Sequence, residues 1–206
     1  ESAMPSNLVM ITSSVPSEGK TFTTINLAIS IAMEMDRTVL VIDSDIIKSD
    51  LTRLFGAQDR LGLFDLLSRD DLTVPDVLIR TNIPKLVLMP AGRIRDVVSE
   101  KLASEAMRRL AVELGTRYRD RVVLFDCPPI LATSGAVALA PYVGQILMVV
   151  EAGKTTHETL RQAVETMSQT TITGLVLNKS KEARAGGGYY GYGYGYHQPN
   201  SRAKAD

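Results

Sequence analysis

The sequence has few of the features that stabilise or anchor a protein outside the cytoplasm. Its 206 residues include a single cysteine, Cys127, which cannot build a disulfide framework. The longest nearly apolar stretch, residues 136–150, is interrupted by Pro141 and Gly144 and is shorter than the roughly 20 residues that a membrane-spanning helix needs. No amino-terminal segment combines a charged start with an apolar core, as a secretory signal does. These absences predict a cytoplasmic protein.

The sequence also lacks an excess of charge of either sign. Lysine and arginine together number 23, aspartate and glutamate together number 23, and the formal net charge at pH 7 is zero. A protein whose main task is to bind duplex nucleic acid or an anionic membrane usually carries a basic excess. The charge balance therefore disfavours both classes of partner. With 45% hydrophobic and 22% charged residues, the composition is that of one ordinary globular domain.

Short apolar segments alternate along the chain with longer amphipathic stretches. The apolar segments, which are predicted strands, are residues 8–11, 38–42, 85–89, 121–125, 145–150 and 173–177. The amphipathic stretches with helical periodicity include residues 21–35, 99–118 and 155–168. Helices of this length serve as the crossover connections that parallel strands require. The alternation predicts an α/β fold with a doubly wound, mostly parallel sheet, in which ligands bind beyond the carboxyl ends of the strands.

The segment after the first predicted strand carries a phosphate-binding pattern. Residues 11–21 read I-T-S-S-V-P-S-E-G-K-T and lie between a strand and a helix, as a P-loop does. Backbone N–H groups of such a loop cradle phosphates, so we expect Lys20 to reach the β- and γ-phosphates and Thr21 to hold Mg²⁺. Ser14 occupies the position of the first glycine in the usual pattern. The residues expected to bind nucleotide here are Ser14, Val15, Pro16, Ser17, Glu18, Gly19, Lys20, Thr21 and Phe22.

Aspartates end two other predicted strands. Asp43 and Asp45 follow the second strand at alternate positions, so their carboxylates are expected on the same side of an extended chain. Asp126 follows the apolar residues V-V-L-F, as a Walker B carboxylate does. Carboxylates this close raise one another's pKa values unless a cation lies among them, and Mg²⁺ suits that position. The expected metal ligands are Thr21, Asp43 and Asp126.

The end of the chain differs in composition from the rest. Residues 186–196 read G-G-G-Y-Y-G-Y-G-Y-G-Y, with neither helical periodicity nor enough aliphatic residues to pack. We expect residues 182–206 to form a disordered tail and residues 1–181 to form one domain. A Gly-Tyr repeat can also stack on single-stranded nucleic acid, but residues 186–197 contain no lysine or arginine. A nucleic-acid partner is therefore not expected.

Four features together resemble the bacterial tyrosine kinases, P-loop kinases that are unrelated in fold to eukaryotic protein kinases. They are Pro16 and Glu18 in the loop, the Asp43-x-Asp45 motif known as Walker A′, the Asp126-Cys127-Pro128-Pro129 Walker B motif, and the tyrosine-rich tail. The resemblance covers nearly the whole chain. It implies a P-loop NTPase of the deviant Walker A class, which septum-placement and partition ATPases share, with ATP and Mg²⁺ as cofactors. The stretches L-I-R-T-N-I-P-K-L and S-E-K-L-A-S-E-A-M are most similar to autokinases of exosortase-type exopolysaccharide loci.

The resemblance implies an ATP-dependent protein-tyrosine autokinase that regulates exopolysaccharide polymerisation or export. Its expected partners are a transmembrane polysaccharide co-polymerase, a protein-tyrosine phosphatase and further copies of the chain in a homo-oligomer, of which a ring is one form. Its expected location is the inner face of the plasma membrane, reached through the membrane partner or a segment preceding Glu1. The expected phosphorylation sites, modified in trans, are Tyr189, Tyr190, Tyr192, Tyr194 and Tyr196.

The resemblance and the chemistry of phosphoryl transfer also assign roles to single side chains. The expected catalytic residues are Lys20, Asp43 and Asp45, with Lys20 neutralising charge on the phosphates. Asp45, or failing that Asp43, is expected to accept the proton of the incoming tyrosine hydroxyl, whose unperturbed pKa is about 10. Asn178 fits a contact with the adenine edge, and Lys179 a contact with the base or sugar. Asn178 is also a common type of turn cap.

The sequence departs from the family pattern at several positions. Ile47 stands where the family commonly has an arginine, with Lys48 next to it, and Gly135 stands where an aspartate is frequent. The E-x-x-R-x-x-R pattern that contributes to ring assembly is incomplete, because Glu105-x-x-Arg108 lacks its second arginine. None of these departures removes an acid expected to contact the metal or the substrate.

Two other functions remain open at this point. The first is a nucleotide-switched septum-placement or partition ATPase, whose class usually has a lysine five residues before the P-loop lysine, where this chain has Val15. The second is a scaffold without catalytic activity, in which bound nucleotide only stabilises an assembly with export proteins. The presence of Lys20, Thr21 and all three aspartates argues against an idle protein.

Overall fold

The computed structural model describes residues 5–93, 98–117, 120–167 and 172–180, which form a seven-stranded sheet with helices on both faces. The strands are β1 (Leu8–Ser13), β2 (Thr38–Asp43), β3 (Ile79–Arg80), β4 (Leu86–Met89), β5 (Arg121–Asp126), β6 (Gln145–Glu151) and β7 (Gly174–Asn178). Their order across the sheet is β3-β4-β2-β5-β1-β6-β7. All neighbouring pairs are parallel except β3 and β4, which are antiparallel. This topology confirms the predicted doubly wound, mostly parallel α/β fold.

Helices connect the parallel strands. They are α1 (Lys20–Met33), α2 (Asp50–Leu54), α3 (Leu63–Leu66), α4 (Val98–Leu102), α5 (Glu105–Arg117), α6 (Gly135–Leu139) and α7 (His157–Thr166). Two short 3₁₀ helices cover Val74–Val77 and Ala140–Tyr142. Among the described residues, none of the helices is long and apolar enough to cross a membrane.

The sheet separates two apolar cores, because successive residues of each strand point to opposite faces. On one face Val9 and Ile11 of β1 pack with Ala28 of α1. On the other face Leu8 and Met10 belong to a core that α5, α6 and α7 cover. Every residue of β1 is buried, as expected for a central strand of a parallel sheet with helices on both sides.

The register of the strands places their carboxyl ends at one edge of the sheet. Asp43 at the end of β2 lies opposite Asp126 at the end of β5, and Ile11 of β1 lies opposite the same Asp126. The loop from β1 to α1 begins at this edge. The fold therefore brings the predicted P-loop and the predicted aspartates together.

The predicted single helix over residues 99–118 is wrong, since the chain forms two helices, α4 and α5, with a break between them. Ser104 begins α5: its Oγ accepts a hydrogen bond from Met107 N at 3.2 Å and its carbonyl accepts one from Arg108 N at 3.1 Å. Serine favours this cap position because its side chain pairs with a free N–H group of the first turn. The antiparallel strand β3 was also not predicted; it is only two residues long.

Replacing Ser104 with alanine is expected to lower the free energy of unfolding by about 1 kcal/mol, because the N–H of Met107 loses its acceptor. Urea unfolding followed by circular dichroism measures the change. Ser30→Ala is the matched control, since Ser30 is exposed in the middle of α1 and, within the part of the chain that the structure describes, its hydroxyl bonds only to Asn26 O of the same helix. Equal stabilities for the two variants would show that the cap at Ser104 does not matter.

Candidate active site

The P-loop lies between β1 and α1, and its backbone explains where glycine is required. Gly19 has a φ of 99°, and a Cβ at this position would lie 2.1 Å from Asn178 Nδ2. Ser14 is fully buried and does not have a positive φ, so the absent first glycine causes no backbone strain at that position. Ser17 does adopt a left-handed φ of 73°. The loop thus tolerates serine at the first position and needs glycine at the last.

Lys20 lies at the start of α1 with its ammonium group between two carboxylates. Its Nζ is 3.0 Å from Asp45 Oδ2 and 3.9 Å from Asp126 Oδ1, and the side chain is 8% exposed. Burial alone would lower the pKa of Lys20, but the charges of Asp126 and Asp45 outweigh it and raise the pKa above its usual value. Lys20 is therefore a cation at neutral pH.

Thr21 and Asp126 form an oxygen-rich pair beside this ammonium group. Thr21 Oγ1 donates a hydrogen bond to Asp126 Oδ2 at 2.7 Å, and Thr24 Oγ1 donates to Asp126 Oδ1 at 3.3 Å. Burial raises the pKa of Asp126 to about 6, although the charge of Lys20 opposes this shift. A hydroxyl and a carboxylate are the hard oxygen ligands that Mg²⁺ prefers, so this pair fits the predicted metal site. Among the described residues there is no group of three or more His, Cys, Asp or Glu that could hold a metal.

Asp43 and Asp45 occupy different environments. Asp43 is fully buried; its Oδ2 accepts hydrogen bonds from Thr52 N at 2.8 Å and Thr52 Oγ1 at 2.7 Å, and its Oδ1 accepts one from Asp45 N at 3.1 Å. Burial raises its pKa to about 7 in spite of these bonds. Asp45 accepts one backbone bond, from Lys48 N at 3.2 Å to Oδ1, and pairs with Lys20 through Oδ2. Asp45, and not Asp43, therefore makes the close ion pair with Lys20.

Asn178 and Lys179, at the end of β7, contact backbone carbonyl groups of the P-loop. Asn178 Nδ2 donates to Glu18 O at 2.8 Å, and Lys179 Nζ donates to Ser17 O at 2.5 Å. Lys179 also forms an ion pair with Glu151 Oε2 at 3.1 Å. The end of β7 is thus tied to the loop, while the predicted contacts of these two residues with adenine and sugar stay predictions.

The remaining predicted loop residues have distinct positions. Val15 N donates to Glu18 Oε2 at 2.8 Å, and Phe22 is 67% exposed at the start of α1. Sequence reasoning missed Thr52, which binds Asp43, and Thr155, whose hydroxyl donates to Glu18. No local pattern marks either threonine. The predicted tail with its five tyrosines lies outside the described residues, as does the predicted domain boundary at residues 181–182.

The chain is similar in sequence and in fold to known proteins. The sequence profile of a family described as an AAA domain matches residues 10–180. The tyrosine-protein kinase YwqD of Bacillus subtilis is 32% identical over 186 residues, which are 89% of this chain and 77% of the relative. The kinase domain of the Escherichia coli tyrosine kinase ETK superimposes with a TM-score of 0.76 at 30% identity, covering 92% of this chain and 73% of that chain.

Some relatives are much longer than this chain. The succinoglycan biosynthesis transport protein ExoP of Rhizobium meliloti is 33% identical over 180 residues, which are 85% of this chain but 22% of the relative. The domain is therefore found both in proteins of similar length and as one part of larger ones. The septum site-determining protein MinD of Pyrococcus horikoshii shares the fold at 23% identity, whereas YwqD, at 32% identity, is named a tyrosine-protein kinase. From its loop, its paired acids and these relatives, the chain belongs to the bacterial tyrosine-protein kinases.

Proposed function

We propose that this kinase uses Lys20, Thr21, Asp45 and Asp126 as its reaction centre and phosphorylates the tyrosines of its own C-terminal tail. The observation that carries the proposal is the position of the Lys20 ammonium group, 3.0 Å from Asp45 and 3.9 Å from Asp126 at the start of α1. A helix start with a buried cation favours an anion, and the adjacent carboxylates suit a metal ion and a proton acceptor. The arrangement supports transfer of a phosphoryl group.

The loop and Lys20 would bind the phosphates of the nucleotide. MgATP supplies the phosphoryl group and a divalent charge that offsets the negative charge of the phosphates. Thr21 Oγ1 and the Asp126 carboxylate, 2.7 Å apart, are the side chains placed to hold Mg²⁺. Lys20 exchanges its contact with Asp45 for phosphate oxygens when nucleotide binds. This exchange frees Asp45 Oδ2 for another partner.

Asp45 is the better placed proton acceptor of the two Walker A′ aspartates. Its Oδ2 faces Lys20, whereas both oxygens of Asp43 accept hydrogen bonds from Thr52 and from the backbone of Asp45. In the transfer, a tyrosine oxygen forms a bond to the γ-phosphorus, the bond to the leaving ADP oxygen breaks, and the phenol proton passes to Asp45. Asp43 holds the segment that carries Asp45 in place, in addition to the metal role predicted for it.

The exit of the chain from the domain supports the tail as substrate. Asn178 and Lys179 at the end of β7 contact the P-loop, so the segment leading to Tyr189 starts beside the site. A Gly-rich segment of about ten residues spans roughly 18 Å. To reach its own site the segment has to turn back sharply, whereas the tail of a neighbouring copy enters directly. We therefore favour phosphorylation in trans within a homo-oligomer.

The biological setting is proposed from the relatives. ExoP, a succinoglycan biosynthesis transport protein, shares this domain. We propose that the kinase regulates the polymerisation or export of an exopolysaccharide, works at the inner face of the plasma membrane with a transmembrane co-polymerase, and is reset by a phosphatase. An exosortase-type locus stays a prediction. The buried lysine and its acidic partners support an active kinase over an idle scaffold.

A mixing experiment is expected to show transfer between copies. The acceptor carries Lys20→Met and an intact tail; the donor carries an intact site and phenylalanine in place of the five tail tyrosines. Neither protein alone is expected to give tail phosphotyrosine with MgATP, and the mixture is expected to label the acceptor. Mass spectrometry locates the modified residues.

The outcomes separate the parts of the proposal. Phosphorylation of the unsubstituted protein without labelling in the mixture would mean that the tail reacts in cis. Labelling confined to sites outside residues 189–196 would show that the tail is not the substrate. Absence of phosphotyrosine in the unsubstituted protein would refute autokinase activity.

A further inference from the structure

Glu18 places a buried carboxylate inside the phosphate-binding loop, although a negative charge there opposes the binding of phosphates. The residue is 1% exposed. Its Oε2 accepts a hydrogen bond from Val15 N at 2.8 Å. Its Oε1 accepts one from Glu151 N at 3.3 Å and another from Thr155 Oγ1. The two oxygens thus join two different parts of the chain.

The second part is the turn between β6 and α7. Thr155 N donates to Glu151 O at 3.1 Å and Thr155 Oγ1 accepts from Glu151 N at 3.3 Å, so the turn is closed by its own hydrogen bonds. Glu151 Oε2 also pairs with Lys179 at 3.1 Å, and Lys179 in turn bonds to Ser17 O. The turn therefore holds the loop at Glu18 directly and at Ser17 through Lys179.

We propose that Glu18 and Thr155 are positioning residues that hold the P-loop in its phosphate-binding shape. They act through the backbone of Val15 and the β6–α7 turn and not by touching the phosphates. The inference rests on the proposed nucleotide-binding role of the loop. It assigns a task to Thr155, which lies 135 residues after Lys20 and carries no recognisable motif.

A carboxylate suits this task better than an amide. Both oxygens of Glu18 face donors, Val15 N on one side and Glu151 N with the Thr155 hydroxyl on the other. Glutamine has one acceptor oxygen and an NH₂ group, so it satisfies one side and places N–H against N–H on the other. Because three donors surround the carboxylate, much of its charge is balanced within the chain. The anchoring effect on nucleotide affinity therefore outweighs the repulsion of phosphates.

Thr155→Val tests the link without changing any charge. Isothermal titration calorimetry of the full chain with MgADP is expected to show about tenfold weaker binding, which corresponds to about 1.4 kcal/mol. Thr155→Ser keeps the hydroxyl and is expected to bind as the unsubstituted chain does. Thr166→Val is the control, since Thr166 is exposed on α7 and its hydroxyl donates to Gln162 O of the same helix and to no other described residue. Its affinity is expected to be unchanged.

Glu18→Gln distinguishes the anchoring role of Glu18 from the effect of its charge. Loss of the anchor weakens nucleotide binding, whereas loss of the negative charge strengthens it. We expect weaker binding of MgADP, and a double variant with Thr155→Val that is no weaker than the weaker single variant, since both remove one link. Tighter binding by Glu18→Gln would mean that charge repulsion dominates and would overturn the proposal. Unchanged affinity of folded Thr155→Val for MgADP would also overturn the proposal, even if the melting temperature of this variant were lower. Failure of the unsubstituted chain to bind MgADP would refute the nucleotide site itself.

Discussion

Lys20→Met is expected to abolish tyrosine phosphorylation and to weaken nucleotide binding strongly. Methionine keeps the length of the side chain but removes the cation that lies between Asp45 and Asp126. Charge stabilisation of the transferring phosphoryl group contributes most of the catalysis in this reaction class, and loss of one such cation typically costs about 10³-fold or more in rate. Asp126 also loses the positive charge that lowers its pKa, so its carboxylate binds a proton more readily.

The measurement is an anti-phosphotyrosine blot after incubation with MgATP, together with calorimetry of MgADP binding. Lys101→Met is the matched control, because Lys101 is half-buried in α4 and, among the described residues, its Nζ donates only to Leu67 O, at 3.4 Å. Circular dichroism establishes that both variants are folded. Phosphotyrosine at the level of the unsubstituted protein in Lys20→Met would place the reaction centre elsewhere.

The parts of the fold that the sequence predicts are those in which a local pattern coincides with burial. The predicted strand at 8–11 is β1, Leu8–Ser13, and the predicted strand at 38–42 is β2, Thr38–Asp43. Such segments are buried on both faces, so they appear in the sequence as unbroken apolar runs. The P-loop was also predictable, because its local pattern includes Gly19, where the φ of 99° and the lack of room for a Cβ beside Asn178 require glycine.

The parts that could not be predicted depend on contacts between distant residues or on one polar side chain. The break before α5 depends on Ser104, which is compatible with the interior of a helix as well as with its start. The pairing of β3 with β4 involves only two residues of β3, too few for a period-two pattern. Glu18 meets Thr155 across 137 positions of sequence. Neither member of that pair is marked by a periodic pattern.

The candidate site shows the same division at the Walker A′ motif. The alternate spacing of Asp43 and Asp45 predicts two carboxylates at one edge of the sheet, and the structure places both there. What separates them is Thr52, whose N–H and hydroxyl both bind Asp43. Thr52 also accepts a hydrogen bond from Ala91 N, which links it to the segment after β4. The local Asp43-x-Asp45 motif contains no information about Thr52 or about the segment after β4 that Thr52 contacts.

This difference predicts that Asp45→Asn lowers the rate of phosphoryl transfer by about 10²- to 10⁴-fold while MgADP binding changes little. General-base catalysis typically contributes a factor of this size. Asparagine keeps an acceptor for Lys48 N but cannot take the phenol proton. A base is needed for the chemical step more than for ground-state binding, so kcat falls and the affinity for nucleotide stays nearly constant.

Asp43→Asn is the informative comparison, because Asp43 accepts three hydrogen bonds within the chain and an amide offers only one oxygen. We expect Asp43→Asn to lower the free energy of unfolding measured in urea. We expect Asp45→Asn to lower it less. Asp36→Asn, at an exposed position between α1 and β2, is the control for both assays. Single-turnover transfer to a tyrosine peptide at saturating MgATP measures the chemical step. If Asp45→Asn weakens nucleotide binding yet transfers at the normal rate once saturated, Asp45 holds the metal or the loop, and the proton acceptor is another group.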